Sequence, residues 1–231
     1  MSNHFYIETE KLKQRIMGLC TLVEESVRYS VKSALNLDHS LAHKVIGSDE
    51  EIDMEEVEIE EDCLKILALY QPVARDLRFV IAVLKINNDL ERIADLAVNI
   101  AERTIALTAQ PPENLRNVCT AMSEKAVIML KKSIDSLINW DGFLAVDVCE
   151  SDNEVDTLYK DSFELVKNCI LEDPARLDSL YLYSSIFRHL ERIADQTTNI
   201  AEDVIYMTQG GIVRHTNEQE KKATVATSHK A

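Results

Sequence analysis

Glycine and proline are scarce in this chain, five and four among 231 residues. They mark boundaries: Pro72, Pro111, Pro112, Pro174 and the Gly210–Gly211 pair divide the sequence into stretches of 71, 38, 61 and 35 residues ahead of the tail. None of these stretches shows the alternating, Val- and Thr-rich pattern of strands, which excludes a sheet. No apolar run approaches the roughly 18 residues of a membrane-spanning helix. The first residues, MSNHFYIETEKLKQR, are polar and do not read as a signal peptide. Positive charge is short as well. Lys and Arg total 25 against 40 Asp and Glu, a net charge of −15. Such a chain repels phosphate backbones and anionic lipid surfaces, so neither nucleic acid nor a membrane surface is an expected partner. The five cysteines (Cys20, Cys63, Cys119, Cys149, Cys169) are scattered and never form C-x-x-C, so they read as small core residues. Phosphate-binding glycine loops, G-x-S-x-G and H-E-x-x-H are all missing. A cytoplasmic protein is expected, with none of these catalytic signatures.

What the chain does contain is helical periodicity. Hydrophobic residues make up 46%, enough for a packed core. Leu12, Ile16, Leu19, Val23, Val27 and Val31 recur at intervals of three or four, as do Val118, Met122, Met129, Ile134 and Leu137. Asp38 and Asp141 read as N-caps, and Pro72 and Pro174 sit where a first helical turn tolerates proline. The pattern predicts an all-α protein with helices near 5–36, 38–70, 72–109, 113–139, 142–171 and 174–208. The polar stretch 212–231 is expected to be disordered.

The two halves repeat. LERIADLAVNIAER at 90–103 returns as LERIADQTTNIAED at 190–203, ten identities in fourteen positions at an offset of 100. Upstream, DHSLAHKVIGSDEEID at 38–53 matches DGFLAVDVCESDNEVD at 141–156, eight identities in sixteen at an offset of 103. Two matches in the same order at nearly equal offset indicate a duplicated three-helix unit. Units of about a hundred residues are large enough to hold a core. The expected domains are 1–110 and 111–211, followed by the tail 212–231.

Each unit carries two acidic pairs spaced i, i+4: Asp49/Asp53 with Glu91/Asp95, and Asp152/Asp156 with Glu191/Asp195. That spacing sets both carboxylates on one helix face, where like charges repel unless a cation lies between them. At about 100° per residue, Ile86, Leu90, Ile93, Ala97 and Ile100 share one stripe, and Glu91 and Asp95 point away from it with Asn88 and Asn99. A lone outward pair is usually a solvated face. A pair of pairs written twice points to a site. Oxygen-only clusters suit hard cations, namely magnesium, manganese, calcium or ferric iron, and zinc also accepts carboxylates. Arg92 and Arg192 follow the glutamates and are placed to pair with them, the simpler reading, or to meet an anion; Asn99 and Asn199 are further candidates to support the site. His39, His43 and His189 lack an E-x-x-H partner and read as surface or packing residues. Most of the acidic run 49–62 reads as solvated surface.

With SDEEID (48–53), QPVARDLR (71–78), LERIADLAVNIAE (90–102), SDNEVD (151–156) and LERIADQTTNIAE (190–202) in this order, the chain resembles the PhoU family, accessory regulators of bacterial phosphate uptake. The likeness runs over about residues 5–208, although the second unit has only DPARLDSL (173–180) where the first has QPVARDLR. The resemblance implies two three-helix bundles related by a pseudo-twofold axis. It implies metal clusters, of iron, zinc, manganese or magnesium, on the eight carboxylates named above. It further implies a non-enzymatic, negatively acting adaptor between a phosphate transporter ATPase subunit and the sensor histidine kinase of the phosphate regulon. A homodimer is also expected, because long helices with Phe79, Tyr181, Tyr183 and Phe187 to place are expected to bury apolar surface between subunits. Two other readings stay open on the residues alone: a carboxylate-cluster protein for metal storage or catalysis, and a helical scaffold whose acids do nothing specific.

Overall fold

A computed structural model of the chain describes residues 3–210 together with Lys221 and Val225. Seven α-helices account for nearly all of it: α1 (Asn3–Asn36), α2 (His39–Gly47), α3 (Asp49–Tyr70), α4 (Ala74–Ala106), α5 (Glu113–Asn139), α6 (Gly142–Glu172) and α7 (Leu177–Gln209). There is no strand among the described residues. α1 and α4 pack together and against α5 and α7, so that four long helices form a central bundle. α2 and α3 cover α1 and α4 on one flank, and α6 covers α5 and α7 on the other. The three-helix units are therefore real but fused. One apolar cluster, from Leu12 and Val23 through Ile93 to Leu130, Phe187 and Ile193, runs through both.

The repeat is visible in local chemistry. α1 and α5 both end on a non-glycine residue in left-handed conformation, Leu37 (φ 54°) and Trp140 (φ 57°). In each case the next amide reaches back to a serine carbonyl at 2.9 Å, Asp38 N–H to Ser33 and Asp141 N–H to Ser136. The same aspartates then cap the following helix: Asp38 accepts from Leu41 N–H, and Asp141 accepts from Phe143 and Leu144 N–H. Trp140 is held in place by stacking on Phe79 at 5.7 Å, with the Arg75 guanidinium 4.1 Å from its ring centre. The long helices α4 and α7 run antiparallel, pinned by Lys85 Nζ to Asp203 Oδ1 (3.1 Å), Arg78 Nε to Met207 O (3.1 Å) and Thr108 Oγ1 to Ser179 Oγ (3.1 Å).

Three boundaries depart from the sequence pattern. The helix expected over 38–70 breaks at Ser48 into α2 and α3, whereas its counterpart α6 is continuous. Gly47 stands where α6 has Glu150; glycine costs about 1 kcal/mol in a helix interior, and Ser48 Oγ bonds the Val45 carbonyl instead. Pro72 does not open α4. Gln71 closes α3 in left-handed conformation (φ 47°), Val73 is extended (φ −127°), and α4 starts two residues after the proline, at Ala74. Pro174 opens a 3₁₀ turn over Pro174–Arg176, and α7 follows from Leu177. Within the tail expected to be disordered, Lys221 and Val225 are buried, at 7% and 0% exposure. The rest of 211–231 lies outside the described residues.

Candidate functional site

The helical phase places the acids as their periodicity requires. Ile93 and Ile193 are fully buried, while Glu91 and Glu191 on the same helices are half-buried and Asp95 and Asp195 exposed. In the first unit Asp49 is the first residue of α3, with Asp53 one turn on. Both face Glu91 and Asp95 of α4. Burial raises the proton affinity of Asp49, and the neighbouring charges of Asp53 and Asp95 raise it further. Glu91 is shifted up by burial, then by Asp95, Glu56 and Asp53, with Arg92 opposing. Asp95 is shifted up by burial and by Asp53. Four carboxylates from two helices thus share one field. Asp49 Oδ1 is buried and has no hydrogen-bond partner among the described residues, an uncompensated acceptor of the kind that is costly to keep.

The second unit repeats the arrangement on α6 and α7. Asp152 is pushed up to about 6, first by burial, then by Asp195 and Asp156, with Lys221 and a Thr198 hydrogen bond pulling it down. Glu191 is shifted up by burial and by Asp195, Asp156 and Asp152. Asp195 is raised by burial and by Asp156. Asp156 also accepts from Lys160 at 2.9 Å. The eight predicted carboxylates thus lie within electrostatic range of one another, four to each unit. Among the described residues, however, no group of three or more His, Cys, Asp or Glu side chains is gathered as it would be around a bound metal ion.

The supporting residues behave differently from the sequence expectation. Arg92 pairs with Asp89 at 3.7 Å, not with Glu91. Arg192 makes no ion pair among the described residues, though its charge favours ionisation of Glu191 and Asp195. Asn99 donates to the Asp95 backbone carbonyl at 2.7 Å, and Asn199 lines the seam between α4 and α7. His39 and His43 are exposed and His189 is buried. The cysteines are all free and buried, and burial raises Cys63 and Cys119 to about 12, which keeps them as inert thiols.

Three participants went unrecognised in the sequence. Glu56, fixed by Asn87 Nδ2 through both its backbone carbonyl (2.8 Å) and Oε1 (3.1 Å), adds a fifth acid beside Glu91. Its signal was the spacing from Asp53 and Asp49, three and seven residues, hidden inside the acidic run; the second unit has Tyr159 there. Gln196 presents a buried Oε1 with no partner next to Asp195 in sequence. Lys221 binds Glu202 at 2.7 Å and lowers the proton affinity of Asp152; nothing local in the sequence announces it.

Fold and acids together define a duplicated helical-bundle protein with one carboxylate quartet on each repeat. The PhoU domain pattern matches it twice, over residues 16–104 and 120–204. The chain belongs to the PhoU family. It is 39% identical over 214 residues to the phosphate-specific transport system accessory protein PhoU homolog of Aquifex aeolicus, covering 93% of this chain and 97% of that one. The crystal structure of PhoU from Pseudomonas aeruginosa superposes with a TM-score of 0.85 at 33% identity, covering 90% of this chain and all of that one. The phosphate transport system regulatory protein PhoU from Streptococcus pneumoniae gives 0.80 at 29% identity, covering 90% of this chain and 99% of that one.

Proposed function

We propose that this protein is a metal-binding regulator of phosphate uptake, a negatively acting cytoplasmic adaptor between a phosphate transporter ATPase subunit and a phosphate-sensing histidine kinase. The accessory role named for its relatives supports the phosphate connection. The observation that carries the metal reading is the pair of carboxylate quartets with raised proton affinities, one of them holding the orphaned Asp49 Oδ1. Asp49, Asp53, Glu91 and Asp95 would hold the first cation, and Asp152, Asp156, Glu191 and Asp195 the second. A bound ion would supply the positive charge that lets these carboxylates join α3 to α4 and α6 to α7. The residues themselves keep a hard, oxygen-only shell open to water, which suits magnesium, manganese, iron or zinc in a structural role. Among the described residues no helix is long and apolar enough to cross a membrane, in keeping with an adaptor that meets its transporter from one side. A homodimer, strengthened by cations that reduce the −15 charge, completes the reading.

The test has two arms. Metal titration of stripped protein should lose one class of site in Glu91→Gln/Asp95→Asn and the other in Glu191→Gln/Asp195→Asn. Unchanged stoichiometry and affinity in both variants would overturn the metal reading. Affinity capture from phosphate-replete cells should recover a transporter ATPase or a histidine kinase. Recovery of neither would overturn the adaptor reading.

A further inference from the structure

Asp89 and His189 occupy the same repeat position, 100 residues apart, and both are buried where α4 and α7 meet, at 6% and 5% exposure. The pseudo-twofold axis therefore gives the seam two equivalent flanks, one around each residue. They have diverged in charge. On the Asp89 flank the cations are spoken for: Lys85 binds Asp203 at 3.1 Å, Arg92 binds Asp89 at 3.7 Å, and Lys221 binds Glu202 at 2.7 Å, around a cavity of about 410 Å³.

The His189 flank carries Arg188 where the other has Asn88, Arg103 where the other has Asp203, and Ser185 where the other has Lys85. Arg188 and Arg192 stand one turn apart on α7, both exposed, and Arg103 reaches the same place from antiparallel α4. All three lie close enough to His189 for their charges to act on its ring. Burial and these three guanidiniums disfavour its charged form. None of the three arginines forms an ion pair among the described residues, in a chain with fifteen excess negative charges. His189 itself hydrogen-bonds Ser185 Oγ through Nε2 at 3.3 Å, and its Nδ1 is buried without a partner among the described residues. A buried imidazole beside three guanidiniums, with exposed Glu102 the nearest acid on α4 and in no ion pair with them among the described residues, is a donor set that an oxyanion satisfies.

We propose that Arg103, Arg188 and Arg192 form a seat for a doubly charged oxyanion of phosphate size, either the free ion or the phosphoryl group of a phosphomonoester. The guanidinium fork matches two oxygens of such a group at once, and three forks suit a tetrahedral oxyanion better than a single planar carboxylate. Extended polyanions are disfavoured, because the seat is bordered by acidic surface including Glu191 and Asp195, whose charges Arg192 already feels. The seat needs no metal and is independent of the carboxylate reading.

The experiment is ³¹P line-broadening and calorimetric titration of the full chain in chelator, at constant ionic strength, with inorganic phosphate and separately with O-phosphoserine. Saturable binding is expected below about 10 mM. Arg188→Gln/Arg192→Gln and Arg103→Gln should each weaken it about tenfold. The charge-matched control Lys131→Gln/Lys167→Gln, both exposed and remote, should leave it unchanged. Because the arginines are surface groups, melting curves should show the variants folded; Arg188→Lys/Arg192→Lys, which keeps charge and loses the fork, should bind at an intermediate level. Binding of phosphate alone assigns the free ion, and equal binding of phosphoserine assigns the phosphoryl group. No saturable binding of either ligand, or binding that the arginine and control variants weaken equally, would overturn the proposal.

Discussion

Asp152→Asn is the substitution whose outcome the structure constrains most tightly. The aspartate is held at about 6 against an ordinary 3.8 by burial and by Asp195 and Asp156. The folded state thus binds its proton more tightly than the unfolded state does. Its contribution to stability is complete below pH ~4 and is lost as pH rises through about 6. A shift of about two units corresponds to about 3 kcal/mol, which partial solvent access reduces to about 1–2 kcal/mol. The isosteric amide removes the charge and retains an acceptor for Thr198. In chelator at pH 7.5 the variant should therefore be more stable than the parent by about 1–2 kcal/mol, a rise in melting temperature of roughly 2–8 °C for a chain of this size. At pH 4, where the parent is protonated, the gain should vanish. With manganese present the order should reverse, because the parent gains binding energy that the variant cannot. Thermal melts at the two pH values decide it. A loss of stability at pH 7.5 in chelator, or an equal gain at pH 4, would refute the reasoning.

Cation affinity in the second unit should fall as pH drops through about 6, in titrations of Glu91→Gln/Asp95→Asn, since Asp152 must lose its proton to bind. Lys221→Met should destabilise the protein by about 1–3 kcal/mol in urea melts by leaving Glu202 charged and unpaired, with Lys221→Met/Glu202→Gln recovering most of it, because both side chains are about nine-tenths buried. Gln71→Gly should stabilise by about 0.5–1 kcal/mol, because Gln71 is exposed with φ 47° and a glycine there removes the left-handed penalty of an L-residue.

Periodicity and duplication are local signals, so the helices, the repeat and the phase of the acids on α4 and α7 were all readable before any coordinates. Ile93 inward and Glu91 outward follow from 100° per residue alone. The break at Ser48 was also within reach, through Gly47, but was overlooked because the same stretch in the second repeat runs unbroken. Glu56 was obscured by its surroundings: in an acidic run every spacing occurs, and only the Asn87 hydrogen bonds single it out. The burial of Lys221 and Val225 and the fusion of both units into one core are long-range packing outcomes. No window of sequence holds both partners of such a contact.

The seam between α4 and α7 has the anatomy of a subunit interface. Each repeat offers the other the same two long helices, α1 and α4 against α5 and α7, as partners in a twofold dimer do. A self-pairing ancestor would be bound to that symmetry: any residue changed on one side changes on the other, and every surface feature comes in identical pairs. Joining the copies through the short connector 107–112 releases the constraint. Asn88 and Arg188, Glu56 and Tyr159, Gly47 and Glu150 record what the release allowed. Tandem fusion kept the architecture of a symmetric pair and gave each half its own evolutionary fate.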